Sequence, residues 1–385
     1  MLVVIAALLP AVVPPVVERF LSQQLSSLGF PAYVRMNLGW CWRNGPGLEG
    51  CIRIALIDTP WCVRADFAGS CCEWMASVKM RETEFNESDP TLAELLKRYP
   101  IAAVSNLTFS GSVALDASAV RTFHKPVAVW NVRLPIRNLT AHATVEEKSY
   151  ALEGLSVTPA ASGIDDHIDI APMFLRINSI DANGFPLGKL SASIRASEKS
   201  LLVTEASADV CGGKVALYSL FLDPKTFNTG FTLFVDDVDT GDVLTHFKGF
   251  RGEASGKLHG KIKLFVMEGG KALRLSDAFL YSTPGEVGKL RMEDASPVTD
   301  NLALAGFDDA TRANVANALT DLDYSVLKLN LRRKDRKTAT LSVNLHGTAT
   351  RGKTSVPVDL TLNFNGELEQ LINTGLRISN QTKGQ

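Results

Sequence analysis

Between Arg251 and Met267 the chain reads RGEASGKLHGKIKLFVM, in which small or apolar residues alternate with polar ones. Gly252, Ala254, Gly256, Leu258, Gly260, Ile262, Leu264 and Val266 hold the even positions. Glu253, Ser255, Lys257, His259, Lys261 and Lys263 hold the odd ones, before Phe265 and Met267. Successive side chains of a β-strand point to opposite faces, so this run reads as one strand with an oily side and a charged side. The oily side needs a cover of protein or lipid, and its glycines permit a bend or a close approach there.

The same alternation returns at the end of the chain. Leu327, Leu329 and Leu331 alternate with Lys328, Asn330 and Arg332; Leu341, Val343 and Leu345 alternate with Ser342, Asn344 and His346. Val358, Leu360, Leu362 and Phe364 alternate with Asp359, Thr361, Asn363 and Asn365. Each such strand has one wet face, as antiparallel sheets do. Further strand-like runs are expected at 51–57, 61–67, 105–115, 127–134, 190–196, 201–208, 214–222, 230–235 and 272–281, many separated by Gly-Gly, Asn-Gly or Pro-Gly turns. Helices are few: a short one at Thr91–Tyr99, and a better one at Asp308–Leu322 with an Asp cap and Val315, Ala318, Leu319 and Leu322 on one face. The fold class read from these patterns is mainly β and antiparallel, and the absence of Ser-, Gly- or Pro-rich linkers favours a continuous sheet. If a second sheet or helices covered every apolar face, the result would be an ordinary sandwich. With few helices to fill it, a curled sheet would keep an open apolar trough.

Formal net charge over the 385 residues is -1, so the chain as a whole has no field drawing it to nucleic acid or to an anionic membrane. Its 21% charged against 45% hydrophobic residues excludes a polytopic membrane protein and leaves room for one embedded segment. Met1–Val17, MLVVIAALLPAVVPPVV, is uncharged; as a helix it would cover roughly 25 Å against a bilayer core of about 30 Å. An uncleaved N-terminal membrane anchor is the expectation, with a cleaved export signal or a buried core segment as alternatives. The missing basic flank fits a start lying further upstream. Glu18–Gly29 has Phe20, Leu21, Leu25 and Leu28 at helical spacing and would lie on the membrane surface or cap the first sheet. Cys41, Cys51, Cys62, Cys71 and Cys72 crowd the first fifth of the chain, with Cys211 alone. Without Cys-x-x-Cys spacing they read either as disulfides across neighbouring strands or as buried free thiols.

Reactive motifs fail on context. Gly347–Thr354, GTATRGKT, matches the phosphate-loop expression, but Ser355–Asn365 is an alternating strand where that chemistry needs a helix N-terminus; a hairpin connection is expected instead. Gly252, Gly256 and Gly260 satisfy G-x-x-x-G, yet Glu253, Lys257 and His259 would then lie in hydrocarbon. The six histidines are scattered, and the acidic-His cluster Asp165, Asp166, His167 and Asp169 reads as an exposed turn before it reads as a metal site. No nucleophile elbow is present. An enzyme, a metal and a cofactor are accordingly not expected.

The run Gly241–Met292, with the segment Val243–Phe247, the strand at Gly252–Gly260, a Gly-Gly turn and the turn Pro284-Gly285, resembles the C-terminal region of YdbH-like proteins in the AsmA-like superfamily of bacterial envelope proteins. The helix at Asp308–Leu322, the strand Tyr324–Arg332 and the closing NFNGELEQLINTGLRI extend the likeness to Ile378; Val3–Leu38 is similar to the beginning of such proteins. The Cys-rich first hundred residues stand apart from it. The resemblance implies a long curled antiparallel sheet, a β-taco or repeating β-groove, carrying phospholipid acyl chains between the membranes of a diderm envelope. It implies three stretches: 1–29 as anchor and amphipathic segment, 30–240 as the first part of the groove, and 241–385 as its YdbH-like part. It further implies inner-membrane anchoring with the rest in the periplasm, phospholipid as ligand, a partner protein or lipoprotein at the outer membrane, and no nucleic acid. The groove is expected to be lined by Leu258, Ile262, Leu264 and Val266, by Leu327, Leu329 and Leu331, by Leu341, Val343 and Leu345, and by Leu360, Leu362 and Phe364. About twenty strands at about 4.8 Å would extend on the order of 100 Å, short of a periplasm's width unless a partner or another copy continues the groove. The alternative is a scaffold or assembly factor for outer-membrane biogenesis that carries no lipid.

Overall fold

The computed structural model describes residues 2–28, 30, 32–42, 46–57, 59–70, 73–89, 104–122, 128–145, 148–164, 167–182, 184–197, 200–223, 226, 228–245, 251–267, 272–295, 299, 308–334, 338–351 and 354–367. The expected helix at Thr91–Tyr99 and the pair Asp165–Asp166 lie outside them. The chain is mainly β, its strands pairing antiparallel, with three helices among the described residues. It forms two compact units: 1–183 with 190–201, and 184–189 with 202–385.

The first unit opens with helix α1 (Leu2–Ser27), which runs through Pro10, Pro14 and Pro15. Fourteen strands begin at β1 (Ala32–Trp42), β2 (Pro46–Leu56), β3 (Cys62–Ser70), β4 (Glu73–Asn86), β5 (Val104–Thr122), β6 (Ala128–Arg133) and β7 (Ile136–Val145). They continue with β8 (Lys148–Val157), β9 (Ala160–Ile164), β10 (His167–Ile170), β11 (Met173–Ile177), β12 (Ser179–Ala182), β13 (Phe185–Leu187) and β14 (Leu190–Ser197), of which β13 belongs to the second unit. Strands β1 to β5 form a meander. The long β5 pairs with β6 through its second half and with β7 through its first, and β9 and β10 extend the β6 side.

Helix α1 answers two expectations. No helix among the described residues is long and apolar enough to cross a membrane. Its second half carries Glu18, Arg19, Gln23 and Gln24, and three internal prolines each remove a backbone donor. The amphipathic part caps the sheet: Ala32, Val34 and Met36 on β1 are buried while Tyr33 and Arg35 between them are exposed. Glu18 Oε1 accepts from the Met36 backbone N–H at 2.6 Å, and the Ser22 hydroxyl reaches the Ala32 carbonyl at 3.4 Å.

In the second unit, β15 (Ser200–Val210), β16 (Gly213–Leu222) and β17 (Thr229–Asp239) lead into a short helix α2 (Thr240–Thr245). Then come β18 (Gly252–Ser255), β19 (Lys257–Met267), β20 (Ala272–Ser282), β21 (Gly288–Met292), helix α3 (Asp309–Leu319), β22 (Leu322–Arg333), β23 (Thr338–Arg351) and β24 (Thr354–Glu367). The run expected as one strand from Arg251 to Met267 is two. The backbone breaks at Gly256, whose φ is +121° and where a Cβ would press on the Tyr324 hydroxyl; β18 turns to pair with β21 while β19 pairs with β17 and β20. Helix α3 starts as expected, Asp308 accepting the Thr311 backbone N–H at 2.6 Å, but ends at Leu319, because Leu322 is drawn into β22 and buried completely. Strands β23 and β24 close through Arg351 and Thr354, so GTATRGKT is a hairpin end; its first glycine, Gly347, lies against the Asp323 carbonyl of β22, where no Cβ fits. Of the cysteines, Cys41, Cys51, Cys62 and Cys211 are free. Their positions opposite Gly47, Asp66 and Ala55 keep the first three apart from one another, which removes the reading of disulfides among them; Cys71 and Cys72 lie outside the described residues.

Candidate functional site

The strand register of the second unit gathers the alternating leucines into cross-strand rows. Val235 on β17 is opposite Gly260 on β19; the row continues through Leu280, Leu329 and Val343 to Leu362 on β24. A second runs Leu233, Ile262, Ala278, Leu331, Leu341, Phe364 across the same six strands. Leu264 lies opposite Phe231 and Leu275, Val266 opposite Thr229, Leu258 opposite Val238, and Leu327 with Leu345 opposite Leu360. Three bulges, at Asp236–Asp237, Ser276 and Ser325, add a residue where the alternation would otherwise slip, and so hold the apolar residues in phase. Eleven of the thirteen expected lining residues therefore occupy one face in register; of Leu362 and Phe364 only the strand position is described, opposite Val343 and Leu341.

Cover on this face is uneven. Leu345 is 4% exposed, enclosed with Val315 and Leu319 of α3, Leu322, Tyr324, Ala295 and Ala349; Leu327, Val343 and Leu360 pack against that cluster. A smaller cluster of Leu331 and Ala339 takes in Leu275, Ala278 and Leu341. Ile262, Leu264, Val266 and Leu329 belong to neither and are half-buried, while Leu258 is buried. Helix α3 thus closes one end of an apolar face whose middle keeps only part of its cover.

The first unit carries a matching face, built from residues outside the thirteen expected as lining. Met36, Ile52, Ala65, Val78, Ala117, Val132, Ala161 and Ile170 form one row over eight strands, from β1 through β6 to β9 and β10. Beside it run Leu38, Gly50, Phe67, Ala76, Ala119, Trp130, Gly163 and Ile168. The rings of Phe67 and Trp130 lie over Gly50 and Gly163, where any Cβ would collide with them. Helix α1 covers only the β1 margin; beyond it the rows are half-buried, and Val132 and Ile168 are exposed. The signal was present: Trp74, Ala76, Val78 and Met80 alternate with Glu73, Met75, Ser77 and Lys79, and Ala32 to Trp42 alternates equally well.

Among the described residues one cluster has the spacing of cation ligands: Asp236, Asp237 and His259, whose ligand atoms lie within 4.8 Å of one another. The protein already uses both ring nitrogens, Nδ1 at 2.9 Å from Asp236 Oδ1 and Nε2 at 2.9 Å from Thr283 Oγ1, so the arrangement serves to hold the bulge of β17 against β19. His167 and Asp169 of the acidic-His cluster sit exposed on β10.

No curated protein and no solved structure matches the chain. A family model does, from Ser77 in β4 to residue 384, beginning well upstream of Gly241 and leaving out the first 76 residues, with Val3–Leu38 and most of the cysteines among them. That family is a lipid-transport family rather than an enzyme family, and its place is the bacterial envelope. Matched over most of its length, with strand upon strand turning the same apolar side, the chain belongs to the YdbH-like family, described as intermembrane phospholipid transport protein YdbH.

Proposed function

We propose that the two apolar faces shield phospholipid acyl chains during passage across the envelope. The observation that carries the reading is the unbroken register of apolar residues across six strands in one unit and eight in the other, most of them neither buried nor free. A closed sandwich would bury them. Lipid tails supply the missing cover: each buried CH₂ contributes roughly 0.8 kcal/mol, so two tails lying along such a face need not meet water. Similar rungs provide no deep minimum, so movement along them is diffusive and needs no covalent chemistry. In this reading the sheet of each unit curls around its own apolar face, the lining residues of each are those named above, and phospholipid is the ligand. Inner-membrane attachment falls to α1, whose Val12, Val16 and Phe20 form an exposed stripe at i, i+4, i+8 suited to an interfacial helix, and a protein or lipoprotein at the outer membrane receives the lipid.

A second reading, a scaffold that carries no lipid, is favoured by one observation: α3 seals Leu345 and half-covers Val343, as the core of a closed domain would be. Extraction in mild detergent followed by mass spectrometry separates the two. Phospholipid retained by the native chain and lost on Ile262→Asp supports transport; a lipid-free chain in every detergent supports the scaffold.

A further inference from the structure

The polar side of the first unit's sheet gathers cations that are far apart in the sequence. Arg35 is opposite Arg53, Arg53 opposite Arg64, and Arg64 opposite Lys79. Three successive cross-strand pairs are like-charged, an arrangement that is unfavourable in a sheet left to itself. The row goes on to Asp116 and then Arg133, so five cations share it with one acid. All six are exposed. Only Arg64 has an ion partner within the described residues, Asp66 two positions along its own strand, at 2.7 Å; Arg35, Arg53 and Lys79 have none there. The row opens on a cavity of about 1320 Å³ that Arg53, Arg64 and Lys79 share with Arg81. The acids on its wall are largely occupied: Asp66 by Arg64, and Glu82 by Arg137 at 2.6 Å and the Ser112 hydroxyl at 2.7 Å, leaving Glu84.

We propose that this face binds a ligand presenting clustered phosphate groups. Neighbouring cations sit one strand spacing apart, about 4.8 Å. A phosphate offers three acceptor oxygens and up to two charges, so one group can bridge two strands, whereas a carboxylate has a single charge and fills one guanidinium fork. Three of the four cations on the cavity wall, Arg53, Arg64 and Arg81, are arginines, whose planar donors match phosphate oxygens. The pleat places these side chains opposite Met36, Ile52, Ala65 and Val78, so the ligand is held on the other side of the sheet from the apolar face and the site does not depend on lipid lying there. Clustered phosphates can come from anionic headgroups at a bilayer surface or from a soluble polyphosphate ester.

The test uses the full chain and its variant Arg53→Gln/Lys79→Gln, with Lys289→Gln, an exposed cation of the other unit, as control. Calorimetric titration with tripolyphosphate at low ionic strength is expected to give binding that weakens as salt rises and falls at least tenfold in the double variant, with the control unchanged. Tripolyphosphate should raise the melting temperature of the native chain and leave that of the variant unmoved. Co-sedimentation with phosphatidylglycerol vesicles, lost in the variant and competed by tripolyphosphate, assigns the headgroup source; tripolyphosphate binding without vesicle binding assigns the soluble one. Equal titrations for native and double-variant chains, no binding at low salt, or tighter binding of poly-glutamate than of tripolyphosphate would each overturn the proposal, the last in favour of an acidic protein.

Discussion

Tyr324 shows how much a single side chain carries in the second unit. It is 1% exposed, its hydroxyl donates to the Ser255 carbonyl at 2.7 Å, and Gly256 and Gly288 make the room its ring occupies. Removing the hydroxyl in Tyr324→Phe deletes this hydrogen bond and is expected to lower stability by about 1–2 kcal/mol in denaturant unfolding. Gly288→Ala, which forces a methyl into the ring, should lower it by about 1–3 kcal/mol. Burial, with the Asp239 carboxylate adding to it, raises the Tyr324 pKa above its ordinary value. The folded state therefore favours the neutral phenol: this contribution is intact below the ordinary tyrosine range and is lost as pH rises through the raised value, so alkaline unfolding should begin at higher pH in Tyr324→Phe than the native chain's lead over it at neutral pH would suggest. The helix cap responds in the opposite sense. Hydrogen bonds from Thr311 lower the Asp308 pKa, so its contribution is present above the usual carboxylate range and disappears as pH falls through the lowered value. Asp308→Ala should lower the melting temperature at neutral pH and flatten its fall in acid.

Among the elements, α3 and the strands beneath it divide the apolar face into a sealed end and a half-covered middle. Val343 and Ile262 sample the two. Val343 packs against the α3 cluster, so Val343→Asp buries an unpaired carboxylate there and is expected to destabilise by about 3 kcal/mol, while Asn344→Asp on the wet face stays within about 0.5 kcal/mol. Ile262→Asp lies outside both clusters; its carboxylate can draw in water, and a loss nearer 1 kcal/mol should accompany a loss of bound lipid. Thermal unfolding of the three variants checks the order. At this scale the sequence was informative about strand existence and phase: the alternations at 327–331, 341–345 and 358–364 fall on strands whose apolar members share a face. It did not disclose the break at Gly256 or the drawing of Leu322 from the end of α3 into β22. Both depend on Tyr324 and on pairings distant in the chain, which local periodicity does not contain.

For the molecule as a whole, two apolar faces should act independently on ligand content. Val78→Asp, in the first unit, and Ile262→Asp, in the second, are each expected to reduce co-purified phospholipid, and the double variant to reduce it further; identical lipid content in all three folded proteins, measured by mass spectrometry, would remove the apolar faces from the account of transport. Net charge is a poor guide at this scale. A chain of formal charge -1 still sets four cations side by side on one sheet, because Arg35, Arg53, Arg64 and Lys79 lie 11 to 18 residues apart and only antiparallel register makes them neighbours. What the sequence determined alone was which side chains of a strand share a face, since the period of two is a property of the β backbone and needs no partner. Which strands adjoin, where bulges keep the rows in phase, how far α1 and α3 extend over them and which charges meet were decided by the tertiary structure, because each is a contact between residues that the covalent chain keeps apart.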